Sequence, residues 1–126
     1  MAKTGVKKKI LVVDDEKPLA RALELKLTNA GFLVSVAHDG EMAFELIKKE
    51  TFDLIILDLV MPKMDGFTVI EKAKALKVTA PIIVLSNLSQ KEDEEKVLKL
   101  GANHFFIKSD VPISEVVEKV KQDLKV

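Results

Sequence analysis

The sequence predicts an α/β fold in which helices cover both faces of a five-stranded parallel sheet. Three observations point there. Strand-like apolar runs recur at residues 10–13, 32–37, 54–57, 82–85 and 104–107. Between them lie segments whose apolar residues follow helical spacing. The linkers are short, and strands alternating with helices in this way build a parallel sheet with helices on both sides.

The run at 10–13 is unbroken and stops at Asp14-Asp15, so it reads as a strand buried on both faces with acid at its C-terminal tip. Pro18 suits the first turn of a helix whose inner face is Leu19, Ala22, Leu23, Leu27 and Ala30, and Gly31 caps it. The second strand, 32–37, alternates weakly. Asp39-Gly40 then makes a turn into a helix with Ala43, Leu46 and Ile47 inward.

The third strand, 54–57, is the centre of the chain. It delivers Asp58 at its tip, and Pro62 soon forbids further pairing before Asp65-Gly66 turns the chain. Phe67, Ile70, Ala73 and Leu76 mark the third helix, and Pro81 opens the fourth strand, which ends on Ser86-Asn87. Ser89 and Glu92 fit a capping box for the fourth helix. That helix is polar from Lys91 to Lys96 and is anchored by Val97, Leu98 and Leu100, which predicts a weakly held element. Gly101 ends it. The fifth strand stops at Lys108, and Pro112 opens a last helix with Ile113, Val116, Val117, Val120 and Leu124 on one face. Among doubly wound sheets of five strands, the order 2-1-3-4-5 of a flavodoxin-like three-layer sandwich is the expected one.

The 126 residues form one domain, 48% hydrophobic and 32% charged. Lysine plus arginine and aspartate plus glutamate are both 20, so nothing in the net charge points to direct nucleic-acid binding. Cysteine is absent, which excludes thiolate chemistry and agrees with a cytoplasmic location. Apolar runs are far below the ~20 residues of a membrane span. Residues 1–8 are read as a basic tail and 9–126 as the folded domain, the stretch from Met1 to Lys9 being a frayed start that runs into the first strand.

In a parallel sheet all C-terminal strand tips share one edge. Asp14, Asp15, Asp58, Ser86 and Lys108 therefore converge although they are distant in sequence. Acids at strand tips can simply cap helices, with Lys108 pairing one of them. Five polar groups at four tips suggest more. Carboxylates so close repel one another unless a cation intervenes. Mg²⁺ suits them, because it binds through few carboxylates and shares phosphate oxygens. The added hydroxyl and ammonium are what a transferred phosphoryl group requires.

These residues carry a resemblance. The acidic pair Asp14-Asp15, the segment from Asp58 through Pro62 to Gly66, Ser86 after an apolar strand, Gly101-Ala102 and Lys108 all stand in the order and spacing of the response-regulator receiver domain of two-component signalling. The resemblance runs from Lys9 to Leu124. It implies that Asp58 accepts a phosphoryl group from a histidine kinase or a histidine phosphotransfer protein. It also implies that Asp15, Asp58 and the backbone carbonyl of Val60 ligate Mg²⁺, with Asp14 acting through a metal-bound water. Ser86 occupies the switch hydroxyl position, Lys108 pairs with the phosphate, and Phe105 is the aromatic switch. The expected output is a changed face on the fourth helix, fifth strand and fifth helix that controls binding of a downstream effector, with homodimerisation on phosphorylation as one form of it.

Three departures from the family pattern matter. Ser109-Asp110 replaces the usual proline after the lysine, so a trans bond is expected there. Phe105 lacks a tyrosine hydroxyl; a permanently buried, non-switching phenylalanine is the plainer reading. Val60 and Leu88, two residues beyond Asp58 and Ser86, are apolar and cannot orient a hydrolytic water, which predicts a long-lived phosphorylated state. His38 and His104 fall at opposite ends of strands on opposite sheet edges and are read as surface residues.

Other functions fit less well. An Mg²⁺-dependent phosphohydrolase needs an acid where Val60 stands, and an idle adaptor has no use for clustered carboxylates. A flavin protein needs a Ser/Thr/Gly-rich phosphate loop after the first strand. The domain is therefore expected to receive a phosphoryl group rather than to act as an enzyme on a separate substrate.

Overall fold

The computed structural model describes residues 7–126. Five strands, β1 (Lys9–Val13), β2 (Leu33–Ala37), β3 (Leu54–Leu57), β4 (Ile82–Ser86) and β5 (His104–Ile107), alternate with five helices. These are α1 (Lys17–Asn29), α2 (Gly40–Lys49), α3 (Gly66–Ala75), α4 (Lys91–Leu100) and α5 (Ile113–Leu124). All strand pairs are parallel and their order is β2-β1-β3-β4-β5, as expected.

The unbroken apolar runs follow from burial on both sides. Side chains alternate across a strand, so Leu11 and Val13 of β1 and Ile55 and Leu57 of β3 join one core layer, with α2, α3 and α4. Ile10, Val12, Leu54 and Ile56 join the other, with α1 and α5. Each fully buried Leu or Ile contributes about 1.5–3 kcal/mol.

Some helix faces turn out differently. In α1 the buried stripe is Ala20, Leu23 and Leu27; Ala22 is only half-buried and Ala30, the C-cap, is exposed. Leu76 is 47% exposed because it falls one residue past the end of α3, whose buried face is Val69, Ile70 and Ala73. Leu98 of α4 is 44% exposed, leaving Val97 as that helix's one fully buried residue. The anchor of α4 is thus thinner than its sequence suggests.

Ser89 does not cap α4. The N-cap is Gln90, without a side-chain hydrogen bond, and the first-turn acids Glu92, Asp93 and Glu94 complement the helix dipole in its place. Phe32 precedes β2 and is buried in the α1/α5 layer. Of the basic stretch, residues 1–6 lie outside the described residues. Lys9 is no frayed end: its amide donates to Asp53 Oδ2 at 2.7 Å and its ammonium pairs with Glu50 at 2.6 Å. Among the described residues no peptide bond is cis, including the one after Lys108.

Candidate phospho-acceptor site

Ladder hydrogen bonds extend one residue beyond the strands and set the site. The Asp14 amide donates to the Ala37 carbonyl at 3.0 Å, and the Asp58 amide to the Val13 carbonyl at 2.9 Å. The Lys108 amide donates to the Ser86 carbonyl at 2.8 Å. Asp14 and Asp58 are therefore held on adjacent strands, and Lys108 beside Ser86, by backbone rather than by loop conformation.

The three side chains meet. Lys108 Nζ lies 2.9 Å from Asp14 Oδ2 and 3.1 Å from Asp58 Oδ2, and it also pairs with Glu16 Oε1. Asp14 and Asp58 are buried, at 2% and 4% exposure. Burial lifts the Asp14 carboxyl above the usual carboxylate range, against the lowering effect of Lys108 and of the Glu16 amide. The Lys108 ammonium, though desolvated, is held well above its ordinary value by bonds to Glu16 and Asp14 and by the charge of Asp58. It remains fully charged at neutral pH.

The chain after Asp58 is fixed from below. Leu59 N–H donates to Asp58 Oδ1 at 2.7 Å, and Gly66 N–H to the Leu59 carbonyl at 2.8 Å. At Gly66 a Cβ would stand 2.3 Å from the Asp58 carbonyl oxygen, so only glycine lets α3 start this close to Asp58. Asp65 caps that helix through Thr68 N–H at 2.8 Å. Above Asp58 is an open depression of about 270 Å³ lined by Asp15, Glu16, Asp58, Val60 and Asn87.

Among the sequence-predicted residues, Asp14, Asp58 and Lys108 are in direct contact. Asp15 is exposed and lines the depression without joining that cluster. Val60 is 59% exposed at the same rim. Ser86 is fully buried at the end of β4, its hydroxyl accepting from Leu88 N–H at 3.2 Å. Phe105 is half-buried and packs on the α2/α3/α4 layer. Glu16 and Asn87 were missed; each directly follows a predicted site residue, and that adjacency was the available signal. His38 and His104 are both half-buried rather than surface residues. The His38 ring lies 3.1 Å from the Asp14 carbonyl, and His104 pairs with Asp123 at 2.9 Å.

One ligand atom each from Asp14, Glu16 and Asp58 can lie within 4.8 Å of the others. The donors are all hard oxygens, two of them, from Glu16 and Asp58, lining the open depression, which fits Mg²⁺ better than a soft or nitrogen-seeking metal.

Comparison with known proteins agrees with this geometry. The response regulator receiver domain family matches residues 10–121. The alkaline phosphatase synthesis transcriptional regulatory protein PhoP of Bacillus subtilis (strain 168) is 38% identical over 118 residues, 94% of this chain and 49% of that protein. The gliding motility regulatory protein of Myxococcus xanthus is 36% identical over 115 residues, 89% of this chain and 15% of that one. The chain thus spans about half the length, or less, of these curated relatives. Among solved structures, the Francisella response regulator 1452 receiver domain superposes with a TM-score of 0.89 at 31% identity, covering 94% of this chain and 98% of that one. A chain of the CheX-CheY-BeF3-Mg complex from Borrelia burgdorferi gives 0.85 at 30%, covering 94% and 90%. An acidic pair, a buried aspartate and a lysine at three strand tips on one edge of the sheet, on this topology and with this family match, make the chain a member of the response regulator receiver domain family.

Proposed function

We propose that Asp58 is the phospho-acceptor of a signalling switch, charged by a histidine kinase or a histidine phosphotransfer protein. Receivers as a family switch by phosphorylation. The observation that carries the assignment to Asp58 is its carboxylate, buried at the tip of the central strand and 3.1 Å from the Lys108 ammonium. An Asp58 oxygen attacks phosphorus and the P–N bond to the donor imidazole breaks; the bonding pair stays on that nitrogen, and a ring already protonated at its other nitrogen leaves as neutral imidazole. Mg²⁺, when bound, supplies positive charge to the transferring oxygens. Asp14, Asp15, Asp58 and the Val60 carbonyl would hold it, with Glu16 within reach. The related receiver in complex with BeF3 and Mg supports this reading.

Lys108 neutralises charge on the new acyl phosphate. The Ser86 hydroxyl leaves Leu88 N–H to donate to it, and Phe105 moves into the space beside β4. That biases two packings of the α4–β5–α5 face, on which an effector or a second copy docks. The thin anchor of α4, Val97 alone fully buried, supports a low cost for the shift. The working unit is the domain from Lys9 onward, acting in the cytoplasm; no helix among the described residues is long and apolar enough to cross a membrane.

Intact-mass measurement after incubation with a small phosphodonor, with and without Mg²⁺, tests the assignment. One phosphoryl adduct is expected on wild type with Mg²⁺ and none on Asp58→Asn. An equal adduct on the asparagine variant would sink it.

A further inference from the structure

An ammonium has three N–H donors. Lys108 donates to Asp58 Oδ2 at 3.1 Å and to Glu16 Oε1, and it pairs with Asp14 Oδ2 at 2.9 Å. A phosphoryl group on Asp58 brings strong acceptor oxygens, which compete for Lys108 with the carboxylates already on it. The Asp58 contact passes to the modified side chain itself, which leaves Asp14 and Glu16 as the competitors. The three partners differ sharply in exposure: the Asp14 and Asp58 side chains are 3% and 5% exposed, the Glu16 side chain 51%. Releasing Asp14 would leave a buried carboxylate without its cation, a costly state. Releasing Glu16 returns a carboxylate to water at little cost.

Glu16 is also placed to let go. Its amide donates to Asp14 Oδ1 at 2.8 Å, which holds its backbone at the site. It is the N-cap residue of α1, yet its side chain makes no capping hydrogen bond. The carboxylate is therefore committed to Lys108 alone among the described residues, and it can swing outward without disturbing the helix.

We propose that Glu16 is a placeholder for the phosphoryl group: it occupies a donor of Lys108 in the unphosphorylated chain and yields that donor when Asp58 is modified. This rests on the phospho-acceptor reading above. Glu16 is then a positioning residue that sets how readily the phosphorylated form is reached, with no contact to the reacting atoms.

Beryllofluoride, a phosphoryl mimic, titrated calorimetrically at saturating Mg²⁺ into wild type, Glu16→Ala and Glu16→Gln tests this. Removing the competitor should tighten binding roughly two- to five-fold in Glu16→Ala, the scale of a half-exposed ion pair. Glu16→Gln should fall between. The Lys108 ε-methylene NMR signal, assigned with Lys108→Arg, should differ between wild type and Glu16→Ala in the free protein and coincide once beryllofluoride is bound. Unchanged or weaker binding in Glu16→Ala, or a signal difference that persists in the loaded state, overturns the placeholder role. Wild type that binds no beryllofluoride, or Asp58→Asn that binds it equally well, would instead bring down the phospho-acceptor reading, and the placeholder role with it.

Discussion

Lys108 Nζ sits 2.9 Å from Asp14 Oδ2, and both side chains are almost wholly buried. The pair is nevertheless unequal. Lys108 has three carboxylates to itself, whereas Asp14 shares one ammonium with Asp58 and Glu16, and burial wins at Asp14. A folded-state pKa above the unfolded value means that Asp14 favours folding while protonated. That contribution is complete below the unfolded value and is lost as pH rises through the folded one. Asp14→Asn should therefore raise stability at neutral pH, read as a higher Tm than wild type. The gap between variant and wild type should shrink as pH falls toward 4, the ordinary aspartate range. Thermal melts in Mg²⁺-free buffer from pH 4 to 8 measure this, and a gap that widens in acid contradicts it. Added Mg²⁺ should stabilise wild type more than the variant.

Gly66→Ala places a methyl 2.3 Å from the Asp58 carbonyl oxygen and 2.8 Å from Leu59 Cα. Both are backbone atoms and cannot rotate away. The substitution should cost about 1–3 kcal/mol and displace the acceptor, slowing phosphorylation by small donors. Chemical denaturation and the rate of adduct formation report the two effects separately. Gly40→Ala, whose Cβ would fall 1.9 Å from the Met64 carbonyl, should be destabilising for the same reason.

His104 Nε2 lies 2.9 Å from Asp123 Oδ2 and 3.0 Å from Oδ1, joining the start of β5 to the last turn of α5. One N–H can serve only one of the two oxygens, and Oδ2 is buried with no hydrogen bond of its own. A double-mutant cycle of His104→Ala and Asp123→Asn should give a favourable coupling of about 0.5–1 kcal/mol. A value of zero would mean that the two side chains do not hold β5 and α5 together.

Val60 is exposed beside Asp58, while Leu88 packs on the core layer. Neither side chain can orient water. Val60→Gln should shorten the lifetime of the acyl phosphate by about three- to ten-fold, a small part of what a placed base achieves. The decay of the phosphorylated mass peak at fixed Mg²⁺ checks this, and an unchanged half-life refutes it.

The elements and sheet order were legible because β1, β3 and β4 are apolar on both faces and end in polar residues. Faces and caps were harder to read. Leu76 and Leu98 follow helical spacing yet are exposed, since where a helix ends and which way it rolls on the sheet depend on its neighbours. Ser89 matched a capping pattern that the chain bypasses by starting α4 at Lys91. The histidines looked like surface residues because their partners, the Asp14 carbonyl and Asp123, lie 24 and 19 residues away.

By itself, the sequence determined which chemistry gathers at the sheet edge. Strand direction places Asp14, Asp58, Ser86 and Lys108 at one end whatever the loops do, because parallel strands share an orientation. The tertiary structure alone decided how charge is divided there. It made Asp14 a buried acid and Asp15 an exposed one, and it brought Glu16 onto Lys108 as a third carboxylate. Neighbours along the chain point in different directions once the strand ends, so dielectric and partner are set by packing rather than by position in the sequence.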